Sequence, residues 1–112
     1  MKIKIEEIVA TKIIQEREIN FPYIAWWSNH KEEIIRIDIE YYADKPNFLK
    51  CTIVQSGWTI NSEIKTKKIG ITNNGVIEEE FNFILRDYAN IATEIEFKEF
   101  LEKTYNDITK TI

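Results

Sequence analysis

The stretch Glu33-Ile34-Ile35-Arg36-Ile37-Asp38-Ile39-Glu40-Tyr41-Tyr42 constrains the fold of this chain more than any other. From Ile35 onward, Ile35, Ile37, Ile39 and Tyr41 alternate with Arg36, Asp38, Glu40 and Tyr42. A period of two is the mark of a half-buried strand, because successive side chains leave a strand on opposite faces. One face is therefore expected in the core. The other is expected to be wet, of mixed charge, and to end in a tyrosine.

The segments on either side supply partners for such a strand. Pro22 cannot donate a ladder hydrogen bond, so Tyr23-Ile24-Ala25-Trp26-Trp27 is expected to begin a strand just after it, toward a sheet edge. Ser28-Asn29-His30-Lys31 then turns the chain into the Ile35–Tyr42 strand as a hairpin. Ala43-Asp44-Lys45-Pro46-Asn47 reads as the next turn, and Phe48 to Gln55 as a strand with Leu49, Cys51 and Ile53 on one face. After a break at Ser56-Gly57, the alternation of Trp58, Ile60, Ser62 and Ile64 predicts another strand, the best companion for the first; Lys67 to Thr72 extends it or forms a short neighbour. Lys2 to Ile14 is dense in β-branched residues and reads as a strand broken or bulged near Ala10, although Ile5, Ile8, Val9 and Ile13 also have helical spacing. Gln15 to Glu18 reads as a turn into Ile19-Asn20-Phe21-Pro22.

Asn73-Asn74-Gly75 is a strong turn signal, and the period changes after it. Ile77, Phe81, Ile84, Leu85, Tyr88 and Ile91 fall on one helical stripe, with Glu78, Glu79 and Glu80 in the first turn where they suit the helix dipole. A strand from Val76 to Phe83 is the competing reading, and the triple glutamate favours helix. Thr93 with Glu96 forms a capping box, and Phe97, Phe100, Leu101, Tyr105, Ile108 and Ile112 make the apolar face of a last helix. The expected class is α+β: an antiparallel sheet of about 4–6 strands in the N-terminal two-thirds, then two C-terminal helices packed on one face. A chain of 112 residues suits one domain over residues 1–112.

Composition bounds the function. No stretch approaches the roughly 20 apolar residues of a membrane span, and Glu6 and Glu7 interrupt the start before a signal-peptide core forms. With one cysteine, Cys51, no intramolecular disulfide and no cysteine-rich zinc site is available, so the expected location is the cytoplasm. The net charge of −4 is unevenly placed: residues 1–75 carry 11 Lys/Arg against 10 Asp/Glu, and residues 76–112 carry 4 against 9. An acidic C-terminal third disfavours the phosphate backbone as partner and favours a basic protein surface.

No residue set amounts to a catalytic signature. His30 is the only histidine and falls in an expected loop, where a polar side chain needs no chemical role. Cys51 alternates with inward-facing residues and behaves there as a small hydrophobe. Glu78, Glu79 and Glu80 point in different directions from one helix, and Gly57, Gly70 and Gly75 are too far apart for a phosphate loop. Neither a cofactor nor a metal is expected. Adjacent strand residues face opposite ways, so one of Trp26 and Trp27, and one of Tyr41 and Tyr42, should be outside. An exposed aromatic beside Arg36 or Lys65 suits a protein hot spot or a base-stacking platform.

In size and charge, though not in any residue motif, such a chain is similar to bacterial immunity proteins and phage-encoded inhibitors of host defence. That resemblance implies a non-enzymatic inhibitor of a larger basic partner, a toxin or nuclease; an RNA-guided nuclease, the target of an anti-CRISPR protein, would fit as a ribonucleoprotein. The residues expected to meet the partner are Glu94, Glu99, Glu102 and Asp107, with Trp26, Trp27, Arg36 and Tyr42. The alternative is a nucleic-acid module using a sheet face with Trp26 or Trp27, Arg36, Lys65, Lys67 and Lys68. A small-ligand or structural subunit and an enzyme are further classes.

Overall fold

The computed structural model describes residues 2–8, 12–28 and 31–110. In chain order the elements are β1 (Lys2–Ile8), β2 (Lys12–Glu18), β3 (Tyr23–Trp26), β4 (Glu33–Tyr42), β5 (Lys45–Gln55), β6 (Glu63–Gly70), β7 (Val76–Ile77), α1 (Glu80–Asp87), β8 (Asn90–Ile91) and α2 (Glu94–Lys110). The class is α+β, as expected. One sheet has five strands in the order β6-β5-β4-β3-β8, and a smaller one has three in the order β2-β1-β7.

The Ile35–Tyr42 strand is the middle of the larger sheet, paired antiparallel with β3 on one side and β5 on the other. Its alternation builds two cores instead of one. Ile35 and Ile37 join Leu49, Cys51 and Ile69 on a face covered by Ile3 and Ile5 of β1, Ile77 of β7, and Phe81 and Ile84 of α1. Ile34 points the other way and joins Ile24, Trp26 and Val54 beneath Phe97 and Phe100 of α2. The helices thus divide between the two faces of the sheet instead of sharing one, because each apolar stripe meets a different set of strand residues. The face expected to be wet is half covered, and only its far end, past Asp38, opens to solvent.

Several expected boundaries shift. The segment 2–14 and the turn expected at Gln15–Glu18 are instead two antiparallel strands, β1 and β2, in register from Lys2 opposite Glu18 to Ile8 opposite Lys12. This register sets Lys2 against Glu18 and Lys4 against Glu16, opposite charges that pin it. The break expected near Ala10 lies outside the described residues. The turn after Tyr42 is only Ala43-Asp44: Tyr42 already opposes Lys45, and Pro46 and Asn47 belong to β5. Between Glu40, opposite Phe48, and Tyr41, opposite Pro46, the register shifts by a bulge that leaves Asn47 over. That irregularity lies past the core, and Tyr41 and Tyr42 are both exposed. The strand expected from Trp58 begins only at Glu63, so β6 neighbours β5 and not β4.

Val76 and Ile77 pair in parallel with Lys4 and Ile5, after which α1 begins at Glu80; each competing reading of this stretch holds for part of it. The turn at Asn73-Asn74-Gly75 is closed by the Gly75 amide on the Thr72 carbonyl, with Gly75 at φ 76°. Among the described residues no helix is long and apolar enough to cross a membrane.

Candidate interaction surface

Helix α2 is anchored residue by residue along its length. The Glu96 amide donates to Thr93 Oγ1 at 3.1 Å, one half of the expected capping box. The Glu96 carboxylate is used elsewhere: it accepts from the Trp26 indole at 2.9 Å, which satisfies a nitrogen buried against the Phe100 ring. Arg36 bridges Asp38 at 3.1 Å and Glu94 at 3.3 Å, with its guanidinium 5.9 Å from the centre of the Phe97 ring. Near the other end of α2, Asp107 accepts from the Ser56 hydroxyl at 3.2 Å, and Ser56 in turn meets Ser62 at 3.0 Å. Phe97, Phe100 and Thr104 mark the buried side of the helix.

These contacts sort the eight residues expected to meet a partner. Trp26 is inside and Trp27 outside, just past the end of β3. Arg36 is half-buried beneath α2, Glu94 is its ion-pair partner, and Asp107 ties the helix to the β5–β6 loop. Tyr42 stands exposed at the far end of β4, away from α2. Glu99 and Glu102 remain: both are exposed, and neither has an ion-pair partner among the described residues.

Opposite the buried side, successive turns of α2 present Ile95, Glu99, Glu102 and Asn106, all exposed. Ile95 keeps 70% of its surface in water, and Tyr105, expected in the apolar face, keeps 60%. Thr104 takes the buried position next to Tyr105, so the apolar side of the helix is rotated from the one read in sequence. A shallow cleft of about 460 Å³ runs beside the ridge, lined by Leu101, Glu102, Tyr105 and Asn106. Lys98 and Lys103 are also exposed, with Lys103 leaning over the Phe100 ring. The ridge combines two carboxylates with an isoleucine, and a tyrosine-lined groove runs alongside. Ile95 was legible only as a residue outside the expected stripe.

The residues of the sheet-face reading do not form an open platform. Both faces of the larger sheet are covered, Lys67 is paired with Glu80 at 2.5 Å, and Lys68 leans over the Phe48 ring. Trp58 stands instead on the β5–β6 loop, at 102% relative exposure. That loop is braced by Glu32, whose carboxylate accepts from the Thr59 hydroxyl at 2.6 Å and the Thr59 amide at 3.1 Å. Gly57 allows the approach, since a side chain there would overlap the Glu32 carboxylate.

A polar cluster lies under the end of α1. The Tyr88 hydroxyl and the Gln55 side-chain amide both donate to Glu33, and the Tyr23 hydroxyl donates to the Tyr88 carbonyl at 2.6 Å. Burial, then the bond to Glu33, pushes the Tyr88 hydroxyl well above its ordinary pKa. Cys51 is fully buried on the same face; burial, opposed by Lys67, pushes its thiol up to about 11, so at neutral pH it is protonated and enclosed. Among the described residues no three His, Cys, Asp or Glu side chains converge on a point. Asn29 and His30 lie outside the described residues. Compared with protein-family models, curated proteins and solved structures, the chain matches none.

Proposed function

We propose that the chain is a non-enzymatic binding protein that docks the outer ridge of α2 onto a basic surface of a larger macromolecule, a nuclease or toxin, and inhibits or sequesters it. The observation that carries this reading is the ridge itself. The other acidic groups of α2 are engaged within the chain: Glu94 by Arg36, Glu96 by Trp26 and Asp107 by Ser56. Glu99 and Glu102 face outward, with Ile95 and Tyr105 beside them. Carboxylates next to exposed apolar and aromatic groups have the anatomy of an interface with a basic, partly apolar surface.

The test is affinity capture of a basic protein from the native host, with its dissociation constant then measured for the wild type and for the Glu99→Lys/Glu102→Lys variant. The variant is expected to bind weaker by roughly one to two orders of magnitude in low salt, since like charges brought together cost several kcal/mol. The gap should narrow as salt screens it. Equal dissociation constants in low salt, or captured material that is nucleic acid and not protein, would overturn the reading.

A further inference from the structure

Among the described residues the two sheets end in β2, β7, β6 and β8, and β2 is the edge that best suits a second copy of the chain. Strands β7 and β8 are two residues long, too short to template a partner. Strand β6 is an edge of eight residues bearing Lys65, Lys67 and Lys68. A twofold pairing of β6 about Thr66 would set Lys65 of each copy against Lys67 of the other. Like charges directly opposite one another are unfavourable, so β6 is disfavoured in that register, the one centred on the strand.

Strand β2 differs. Its seven residues pair with β1 on one side and, among the described residues, with no strand on the other. It displays Ile13 at 44% and Ile14 at 58% exposure. An apolar edge strand invites pairing.

We propose that two copies of this chain associate by antiparallel pairing of β2 with β2 about a twofold axis at Gln15. This register uses the whole strand. It sets Lys12 of each copy opposite Glu18 of the other, Ile13 opposite Arg17 and Ile14 opposite Glu16. Opposite charges meet at both ends of the seven-residue ladder, where β6 would bring lysines together. Across the sheet, Glu18 lies between Lys2 of its own β1 and Lys12 of the second copy. The two Ile14 residues become diagonal neighbours across the axis, and each Ile13 lies against the Arg17 stem. The association joins two three-strand sheets into one of six strands. It is independent of the α2 ridge.

The axis provides a specific test. Gln15 meets itself there, so Gln15→Lys sets two lysines face to face and Gln15→Glu two carboxylates. By sedimentation velocity and light scattering at high micromolar concentration, the wild-type chain is expected to be a dimer that dissociates on dilution, and each variant a monomer. Mixing Q15K with Q15E should restore a dimer containing one copy of each, identified by native mass spectrometry. A wild-type chain that stays monomeric overturns the proposal, as do single variants that remain dimers. So does a mixture that forms no heterodimer, and this last arm separates loss of the interface from loss of the fold.

Discussion

Tyr88 holds the end of α1 to the sheet from both of its ends: the hydroxyl donates to Glu33 while the backbone carbonyl accepts from Tyr23. Both tyrosine hydroxyls act as donors, so the fold binds them in the protonated form, and burial raises the pKa of each. An unfolded tyrosine ionises near pH 10. A raised pKa in the fold means that this stabilisation is fully present below pH ~10 and is lost as pH rises toward the folded-state value, because the unfolded chain gives up the proton first. Cys51, pushed from 9.0 to about 11 chiefly by burial, adds a loss of the same sign that begins nearer pH 9. The denaturation midpoint should therefore fall as pH is raised above about 9, with the tyrosine part entering above about 10. Tyr88→Phe should cost about 1 kcal/mol at neutral pH by removing one of the two donors to Glu33, the Gln55 amide remaining. It should also flatten the alkaline slope, as read by urea melts across pH; a slope equal to the wild type's would show that Tyr88 is not the titrating group.

At the scale of elements, the β4–β5 hairpin turns on two residues that are both left-handed, Ala43 at φ 50° and Asp44 at φ 67°. Ala43 does not favour that region and Asp44 only tolerates it, whereas Asn-Gly is suited to a two-residue turn with positive φ at both positions. Ala43→Asn with Asp44→Gly should stabilise the chain by about 1 kcal/mol and raise the thermal midpoint by a few degrees, measured by circular dichroism. A lower midpoint would mean that the two positions do not act as such a turn. Ala43 carries no turn signal of its own while Pro46 and Asn47 do, which is why the turn reads in sequence as the five residues Ala43 to Asn47 and not as Ala43-Asp44 alone. Strand β4 and helix α2 are legible because their periods are clean and Thr93 marks a start. The alternation from Trp58 to Ser62 imitates a strand, but the Glu32 brace and the close approach at Gly57 hold it as a loop, and neither can be read locally. The site is legible to the same degree. Glu99 and Glu102 follow from helical phase alone, whereas the engagement of Glu94 by Arg36 and of Asp107 by Ser56 depends on neighbours more than 50 positions away.

For the whole molecule, β4 is the wall common to both apolar clusters, with Ile34 on the α2 side and Ile35 and Ile37 on the other. Phe81 lies in one cluster and Phe100 in the other, and truncating either to alanine should cost about 3–5 kcal/mol. Because the wall is shared, both losses should lower hydrogen-exchange protection of β4 amides together, within a single unfolding transition. If Phe81→Ala releases α1 and the small sheet while amides on the α2 side keep their protection, the two halves are separate units. The same architecture gives a long body: the principal extents are 45 × 34 × 23 Å and the radius of gyration is 15.3 Å, against about 13 Å for a compact chain of this length. Drag in solution follows shape as well as mass. A single copy should elute ahead of spherical standards of equal weight, so on a calibrated column even the monomer would pass for something heavier, and its stoichiometry has to be read from scattered light or sedimentation.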